Sequence, residues 1–161
     1  MIDLDERLEN EVVLQRQLLT EEECFNIIVD NRKDLKTSVI TSKNYPINKM
    51  VRHSKSSFFE DDHLKNKIGV CNKLQFQFTE YNVTGFYNWH RDDSLGRVYT
   101  HIILLNKEYV GGELKIKKDN REQKIKLKVG ECISFPSKLL HTVCKINSGI
   151  RYSLVGWEHG N

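Results

Sequence analysis

From Leu74 onward the chain alternates apolar and polar residues almost to its end, and that run limits what it can fold into. Residues 74–81 read as a half-buried strand. A turn at 82–85 leads to a second strand at 86–92, crowded with aromatics, and a turn at 93–96 leads to a long strand at 97–105. Gly111 and Gly112 open a strand at 113–117, and a hairpin at Asp119-Asn120 leads to another at 124–129. Gly130 turns the chain into a short strand at 132–135, which Pro136 ends. Strands at 139–146 and 150–158 follow, joined at 147–149. A series of about eight short strands predicts a double-sheet jelly roll or barrel, not a parallel α/β sheet.

The front of the chain has a different grain. Thr20 and Glu23 form a capping box ahead of an apolar stripe at helical spacing (Cys24, Phe25, Ile27, Ile28), which predicts a helix over 21–32. A second, shorter helix is expected within 60–71, capped by Asp61 or Asp62, with Leu64 and Ile68 facing inward. Residues 1–19 are expected to enter as a strand or loop, 37–41 as a strand and 51–59 as extended chain. The polar stretch 42–47 holds one of the two prolines. The expectation is a mainly β protein with N-terminal α-helices. It forms one domain over 1–161, with a helical and loop front end at 1–72 and a jelly-roll core at 73–159.

Composition narrows the function classes. Hydrophobic residues make up 39% and charged ones 29%, which is ordinary for a globular protein. A net charge of +3 is too mild to argue for nucleic acid. The one dense basic stretch (Lys115, Lys117, Lys118, Arg121, Lys124, Lys126, Lys128) alternates with Ile and Leu and reads as a solvated sheet face. No apolar run reaches membrane-spanning length, and the N-terminus is acidic, unlike a signal peptide. Cys24, Cys71, Cys132 and Cys144 are far apart and form no C-x-x-C pair. They read as small buried thiols in a reducing, cytoplasmic setting.

Chemistry concentrates in His90-Arg91-Asp92. Two residues apart on a strand, His90 and Asp92 project to one face while Arg91 points away. An imidazole and a carboxylate supply two of the three protein ligands of a 2-His-1-carboxylate site, which leaves one face of a ferrous ion open. His141, entering a late strand after the turn at Pro136-Ser137, is the candidate third ligand. Arg151 opens the last strand between apolar neighbours, so its guanidinium should be partly buried and need an anion. That anion is either an internal Asp or Glu or a bound carboxylate gripped through two hydrogen bonds. Ser153 shares its face and could add a hydroxyl.

Taken in order, four groups of residues resemble the iron(II)- and 2-oxoglutarate-dependent dioxygenases. They are Tyr81…Gly85-x-Tyr87-x-x-His90-x-Asp92, Gly111-Gly112-Glu113-Leu114, Phe135-Pro136-Ser137…His141-x-Val143 and Gly149-x-Arg151…Trp157. Within them the chain looks like the prolyl 4-hydroxylase branch, including the small bacterial PKHD-type hydroxylases, over residues 74–158. The resemblance implies a double-stranded β-helix with iron held by His90, Asp92 and His141. It makes Arg151 the partner of the distal 2-oxoglutarate carboxylate. Tyr81 and Tyr87 would line the pocket, and Trp157 would stand beside the prolyl site. Arg52, in Val51-Arg52-x-Ser54, resembles a segment with which prolyl hydroxylases touch their peptide.

One position departs from the pattern. The tyrosine that animal oxygen-sensing prolyl hydroxylases carry two residues before an Asn is Leu104 here, leaving Thr100 or Tyr81 as substitute cosubstrate contacts. The resemblance further implies O2 as cosubstrate, ascorbate as a candidate reductant, succinate and CO2 as products, and a proline-containing peptide or protein as substrate. Nucleic-acid demethylases of the superfamily usually carry a second arginine six residues after the first, where this chain has Trp157. The competing readings are an oxygenase acting on a free amino acid, another side chain or a nucleobase, and a non-catalytic metal-binding jelly roll. Oligomeric state is not legible, and the basic loop at 42–55 is the candidate for selecting the substrate.

Overall fold

A computed structural model describes residues 3–38 and 52–160. Asp3 accepts from the amides of Asp5 and Glu6 and so caps a short helix α1 (Leu4–Glu9), where a strand or loop was expected. Strand β1 (Leu14–Gln17) follows. The Thr20–Glu23 capping box is fully formed and starts α2 (Glu21–Asn31), which runs through a 3-10 turn into β2 (Lys36–Thr37). The strand expected to continue through 39–41, and the loop from 42 to Val51, lie outside the described residues. After β3 (Arg52–His53) and β4 (Lys55–Phe59), Asp61 caps α3 (Asp62–Ile68), which buries Leu64 and Ile68 as expected.

The core continues with β5 (Leu74–Tyr81), β6 (Phe86–His90), β7 (Arg97–Leu104), β8 (Tyr109–Gly111) and β9 (Leu114–Lys118). It ends with β10 (Arg121–Ile125), β11 (Glu131–Pro136), β12 (His141–Val143), β13 (Ile146–Gly149) and β14 (Arg151–His159). The β9–β10 hairpin turns on Asp119 and Asn120, at φ 52° and 60°, the paired left-handed conformation of a type I′ turn. The strand expected at 124–129 is instead β10. It starts at Arg121 to pair with β9 and stops at Ile125.

Two antiparallel sheets face each other. The major sheet runs β1-β11-β7-β14-β5-β4-β2 and the minor sheet β10-β9-β12-β6-β3, with a small β13-β8 ribbon at one end. The front of the chain is built into this sandwich: β1 pairs with β11, β4 with β5 and β3 with β6.

Two apolar clusters hold the layers. One, including Phe76, Phe78, Ile103 and Leu154, packs the outer face of the major sheet against α2 and α3, with Cys24 and Leu64 among its members. The other, including Ile102, Ile116, Ile133 and Phe135, fills the space between the sheets. Because β5 lies between these clusters it is buried on both faces, not half-buried. The thiols also differ from expectation: Cys24 and Cys132 are buried, but Cys71 is exposed and Cys144 only partly covered. Most of the lysine-rich hairpin's charged positions are exposed or partly exposed, as a solvated face requires.

Candidate metal centre and its cavity

Strand pairing brings the ligand candidates together. β12 runs antiparallel to β6, with His141 directly opposite His90, so both imidazoles rise from the same face of the minor sheet. Asp92 lies two residues past the end of β6, beyond the strand on which alternation would place it. Its position comes from other bonds. Its amide donates to the Ser137 carbonyl (2.8 Å), and the Thr100 hydroxyl of β7 donates to its Oδ2 (3.2 Å) while also meeting Ser137 Oγ (2.8 Å). The carboxylate is thus pinned between the two sheets.

Both rings are oriented by their far nitrogens. His90 Nδ1 bonds the Asn88 carbonyl (2.7 Å) and His141 Nδ1 the Leu139 carbonyl (3.0 Å); a carbonyl can only accept, so each Nδ1 carries the proton. Each Nε2 therefore points inward, His90 Nε2 lying 3.4 Å from Asp92 Oδ1 and His141 Nε2 3.1 Å from Oδ2. The three ligand atoms lie within 4.8 Å of one another. Burial, helped by the neighbouring His141 charge, pushes His90 down to about 4, leaving it neutral. Burial would also lower His141, but the Asp92 carboxylate more than reverses this and raises it. Asp92, which burial alone would raise, is held well below the usual carboxylate range by the two histidines. Two inward nitrogens and an ionised carboxylate in a dry pocket are a donor set that suits ferrous iron.

The cavity over this cluster has a floor and a roof. Alternate residues of β14 (Arg151, Ser153, Val155, Trp157) and of β5 (Gln77, Thr79, Tyr81) form the floor, in register as Arg151–Tyr81, Ser153–Thr79 and Val155–Gln77. Arg52, Tyr87, His90, Asp92, His141 and Val143 form the roof. Burial raises Tyr81 and pushes Tyr87 up to about 12, so both phenols are neutral donors. Tyr87 stacks on the His90 ring, and the Arg52 guanidinium sits 4.5 Å from the Tyr87 ring centroid.

Arg151 is 2% exposed. Among the described residues no carboxylate lies within ion-pair distance of it, and its Nε has no acceptor. Of the two partners its burial demanded, the internal acid is absent among the described residues. Gly112 makes room for it: a Cβ there would collide with Ile146 and press on Arg151 Cδ at 3.2 Å, and its φ of +65° favours glycine.

Of the residues singled out from sequence, Tyr81, Tyr87, His90, Asp92, His141, Arg151, Ser153, Arg52 and Trp157 line this one cavity. Thr100 lies behind Asp92 with its hydroxyl already engaged. Leu104 lines a separate groove beside Arg151, with Gly112 and Lys124. Gln77 and Thr79 were missed, although the alternation of β5 puts them on the face of Tyr81. Arg97 was missed too; it lies over the Trp157 ring and had no motif to mark it.

Two imidazoles and a carboxylate converging inside a double-sheet jelly roll are a donor set of the 2-His-1-carboxylate kind, one that could hold a metal ion. The profile of the 2OG-Fe(II) oxygenase superfamily matches residues 76–159, a span that contains all three ligand candidates and Arg151. The chain belongs to that superfamily, whose members use iron(II), 2-oxoglutarate and O2. It is 43% identical over 86 residues to a PKHD-type hydroxylase of Prochlorococcus marinus strain MIT 9301, covering 50% of this chain and 39% of that one. The chain thus spans well under half the length of that relative.

Among solved structures, a Pseudomonas putida prolyl-4-hydroxylase superposes with a TM-score of 0.79 at 18% identity, over 96% of each chain. A Trichoplax adhaerens prolyl hydroxylase, solved with a hypoxia-inducible-factor peptide, gives 0.77 at 17% identity, over 96% of this chain and 86% of that one. At these identities the likeness concerns the fold. No helix among the described residues is long and apolar enough to cross a membrane.

Proposed function

We propose that the chain is a single-domain iron(II)- and 2-oxoglutarate-dependent dioxygenase, working in the cytoplasm, that hydroxylates a prolyl residue of a peptide or protein. The observation that carries the reading is one cavity holding both a buried His–Asp–His donor set and a buried arginine that lacks an internal anion. His90, Asp92 and His141 are the iron ligands. Arg151 grips the distal carboxylate of 2-oxoglutarate through two donors of its guanidinium, with the Ser153 hydroxyl and the neutral Tyr81 phenol as further donors. Bound iron, with 2-oxoglutarate and O2, supplies the oxidation: one oxygen atom enters the substrate C–H bond and the other leaves in succinate, with release of CO2.

The protein's own work is positioning and exclusion. The Nδ1 bonds to Asn88 and Leu139 fix the two imidazoles, and Thr100 and Ser137 fix Asp92, so the ligand geometry exists before substrates arrive. Ile102, Val143 and Val155 keep the cavity wall apolar and dry. Arg52, Tyr87 and Trp157 form the side on which the substrate enters. The family resemblance of this side and the fold likeness to prolyl hydroxylases support the prolyl choice over a free amino acid or nucleobase.

The test is succinate formation from 2-oxoglutarate after anaerobic iron loading and admission of air, with ascorbate, and with proline-containing peptides present or absent. Peptide-stimulated succinate with one added oxygen on proline is the expected result. Succinate without oxidised peptide would remove the prolyl substrate, and no succinate under any condition would remove the enzyme.

A further inference from the structure

A second depression adjoins the first and shares Arg52, Gln77, Tyr87, Asp92 and Trp157 with it, while Arg91 and Arg97 line only the second. Three arginines and one carboxylate therefore line it, and the oxygens of that carboxylate, Asp92, are already held by Thr100 and the two histidines. Arg52 directs donors to Ser54 Oγ (2.8 Å) and Gln77 Oε1 (3.3 Å), and Arg91 Nε bonds the Lys138 carbonyl (2.9 Å).

Arg97 is different. It is 8% exposed and its guanidinium carbon lies 3.8 Å from the centroid of the Trp157 ring. Its Nε has no acceptor, and among the described residues no carboxylate lies within ion-pair distance. Residues 39–51 include no Asp or Glu, so they hold no side-chain carboxylate to offer it. The Asp92 carboxylate, beyond ion-pair distance, offsets this burial only through space; a buried cation with no anion in direct contact is costly, and the indole face offsets only part of that cost. Arg97 matches Arg151 in this respect, at the other end of the inward row of β14: Arg151 and Trp157 are six residues, or roughly 20 Å, apart along the strand.

We propose that Arg97, stacked on Trp157 and with Arg91 at the rim, is a carboxylate subsite for the substrate. Resting on the reading of the adjoining cavity as the oxidation site, this names the substrate class: the molecule oxidised there carries an acidic group close to the oxidised carbon. Asp92 lines both depressions, so a ligand held on Arg97 stands next to the iron ligands. A planar guanidinium with free donors takes a carboxylate through paired hydrogen bonds, and the same chemistry serves an Asp or Glu flanking the target residue or the α-carboxylate of a free amino acid.

The experiment is a binding measurement, so it is read independently of turnover. Fluorescently labelled proline-containing peptides with a flanking Asp, Asn or Ala are titrated by polarisation against the Mn(II)-loaded chain with 2-oxoglutarate under argon. Free proline and prolinamide serve as unlabelled competitors. The Asp peptide should bind about tenfold or more tightly than its Asn twin, and raised salt should shrink the gap. Arg97→Gln should erase the gap and Arg97→Lys should keep part of it, with thermal melts of both variants reporting their folding. If Arg97→Gln does not fold, the Asp–Asn gap and its salt dependence in the unmodified chain decide. Proline competing better than prolinamide, through Arg97, would support the subsite with a free amino acid as the source. Equal binding of Asp and Asn peptides, an acidic preference that survives Arg97→Gln, or no binding of any acidic ligand would overturn it. Succinate formation, measured separately, shows whether the oxygenase reading stands or falls apart from this subsite.

Discussion

The same two strands carry two buried polar clusters on their opposite faces, and the clusters are finished differently. On the outer face of the major sheet, Glu158 of β14 is 0% exposed and receives both terminal nitrogens of Arg7 (2.8 and 3.2 Å) and Nε2 of His101 on β7 (2.8 Å). His101 Nδ1 meets Ser134 Oγ (2.7 Å), and the Arg7 guanidinium lies over the Tyr99 ring. Arg7 and Glu158, the two charges of this trio, are each other's partners. On the inward side Arg151 and Arg97 are buried with no carboxylate in ion-pair distance among the described residues, Arg97 reaching that side where the β14–β7 register shifts at Glu158 and His159. A closed network ties α1 to the sheet and spends its charges on stability. The open one leaves its charges to the ligands proposed for them, and the fold as a whole bears the cost.

The sharpest test of that contrast takes one acid from each side. Asp92→Ala should bring peptide-stimulated succinate formation below detection while the chain still melts cooperatively, because the proposal gives Asp92 to the ligand set and not to the packing. Turnover persisting in this variant would remove Asp92 from the ligands. On the closed side, Arg7→Ala strands the Glu158 charge in the interior and should cost about 3–5 kcal/mol of folding stability. The folded fraction should retain the turnover of the parent chain. Denaturant melts measure the first effect; an unchanged midpoint would mean that Glu158 does not depend on Arg7. Arg151→Gln should weaken 2-oxoglutarate binding by about 2 kcal/mol or more, roughly thirtyfold in Kd, with little change in melting temperature. A large loss of stability with unchanged 2-oxoglutarate affinity would move Arg151 to the structural side of the comparison.

How much of this was legible depended on whether the signal lay within one strand or between distant ones. The β5 strand, the Asp119-Asn120 hairpin and the Thr20–Glu23 box are local, and the structure has all three. His90 and His141 were legible as a pair because a late strand can lie beside an earlier one, and β12 does pair with β6. Asp92 was found through strand geometry that the structure does not have: β6 ends at His90, and bonds from Thr100 and Ser137 hold the carboxylate instead. Those two residues are eight and forty-five positions away in sequence, and no spacing rule connects them to Asp92. The Arg7–Glu158–His101 network was invisible for the same reason, since Arg7 sits 151 residues from its partner. The burial of β5 on both faces was also missed, because it depends on helices packed against the outer face.

The smallest effect sharpens the comparison through pH. Burial is the main cause holding His101 below its ordinary value, and it outweighs the Glu158 carboxylate that would raise it. His101 is therefore neutral at pH 7, and its contact with Glu158 is a hydrogen bond donated by Nε2–H, the counter-charge coming from Arg7. Ser134 then donates its hydroxyl to Nδ1. For Glu158, burial pushes upward, but the bonds from His101 and Arg7 hold the carboxyl below its ordinary value. Both depressions act in the same direction. Below about pH 6.5 the unfolded chain takes up a proton on His101 that the folded chain refuses, so stability falls as pH drops from there toward the folded value. Glu158 adds its own loss only at lower pH, below the ordinary carboxylate range. Melting temperature should therefore decline between pH 7 and pH 5 in the parent chain and decline less in His101→Gln, whose amide does not titrate. Parallel curves for the two would show that the acid sensitivity resides elsewhere, and the closed network would then be indifferent to the proton.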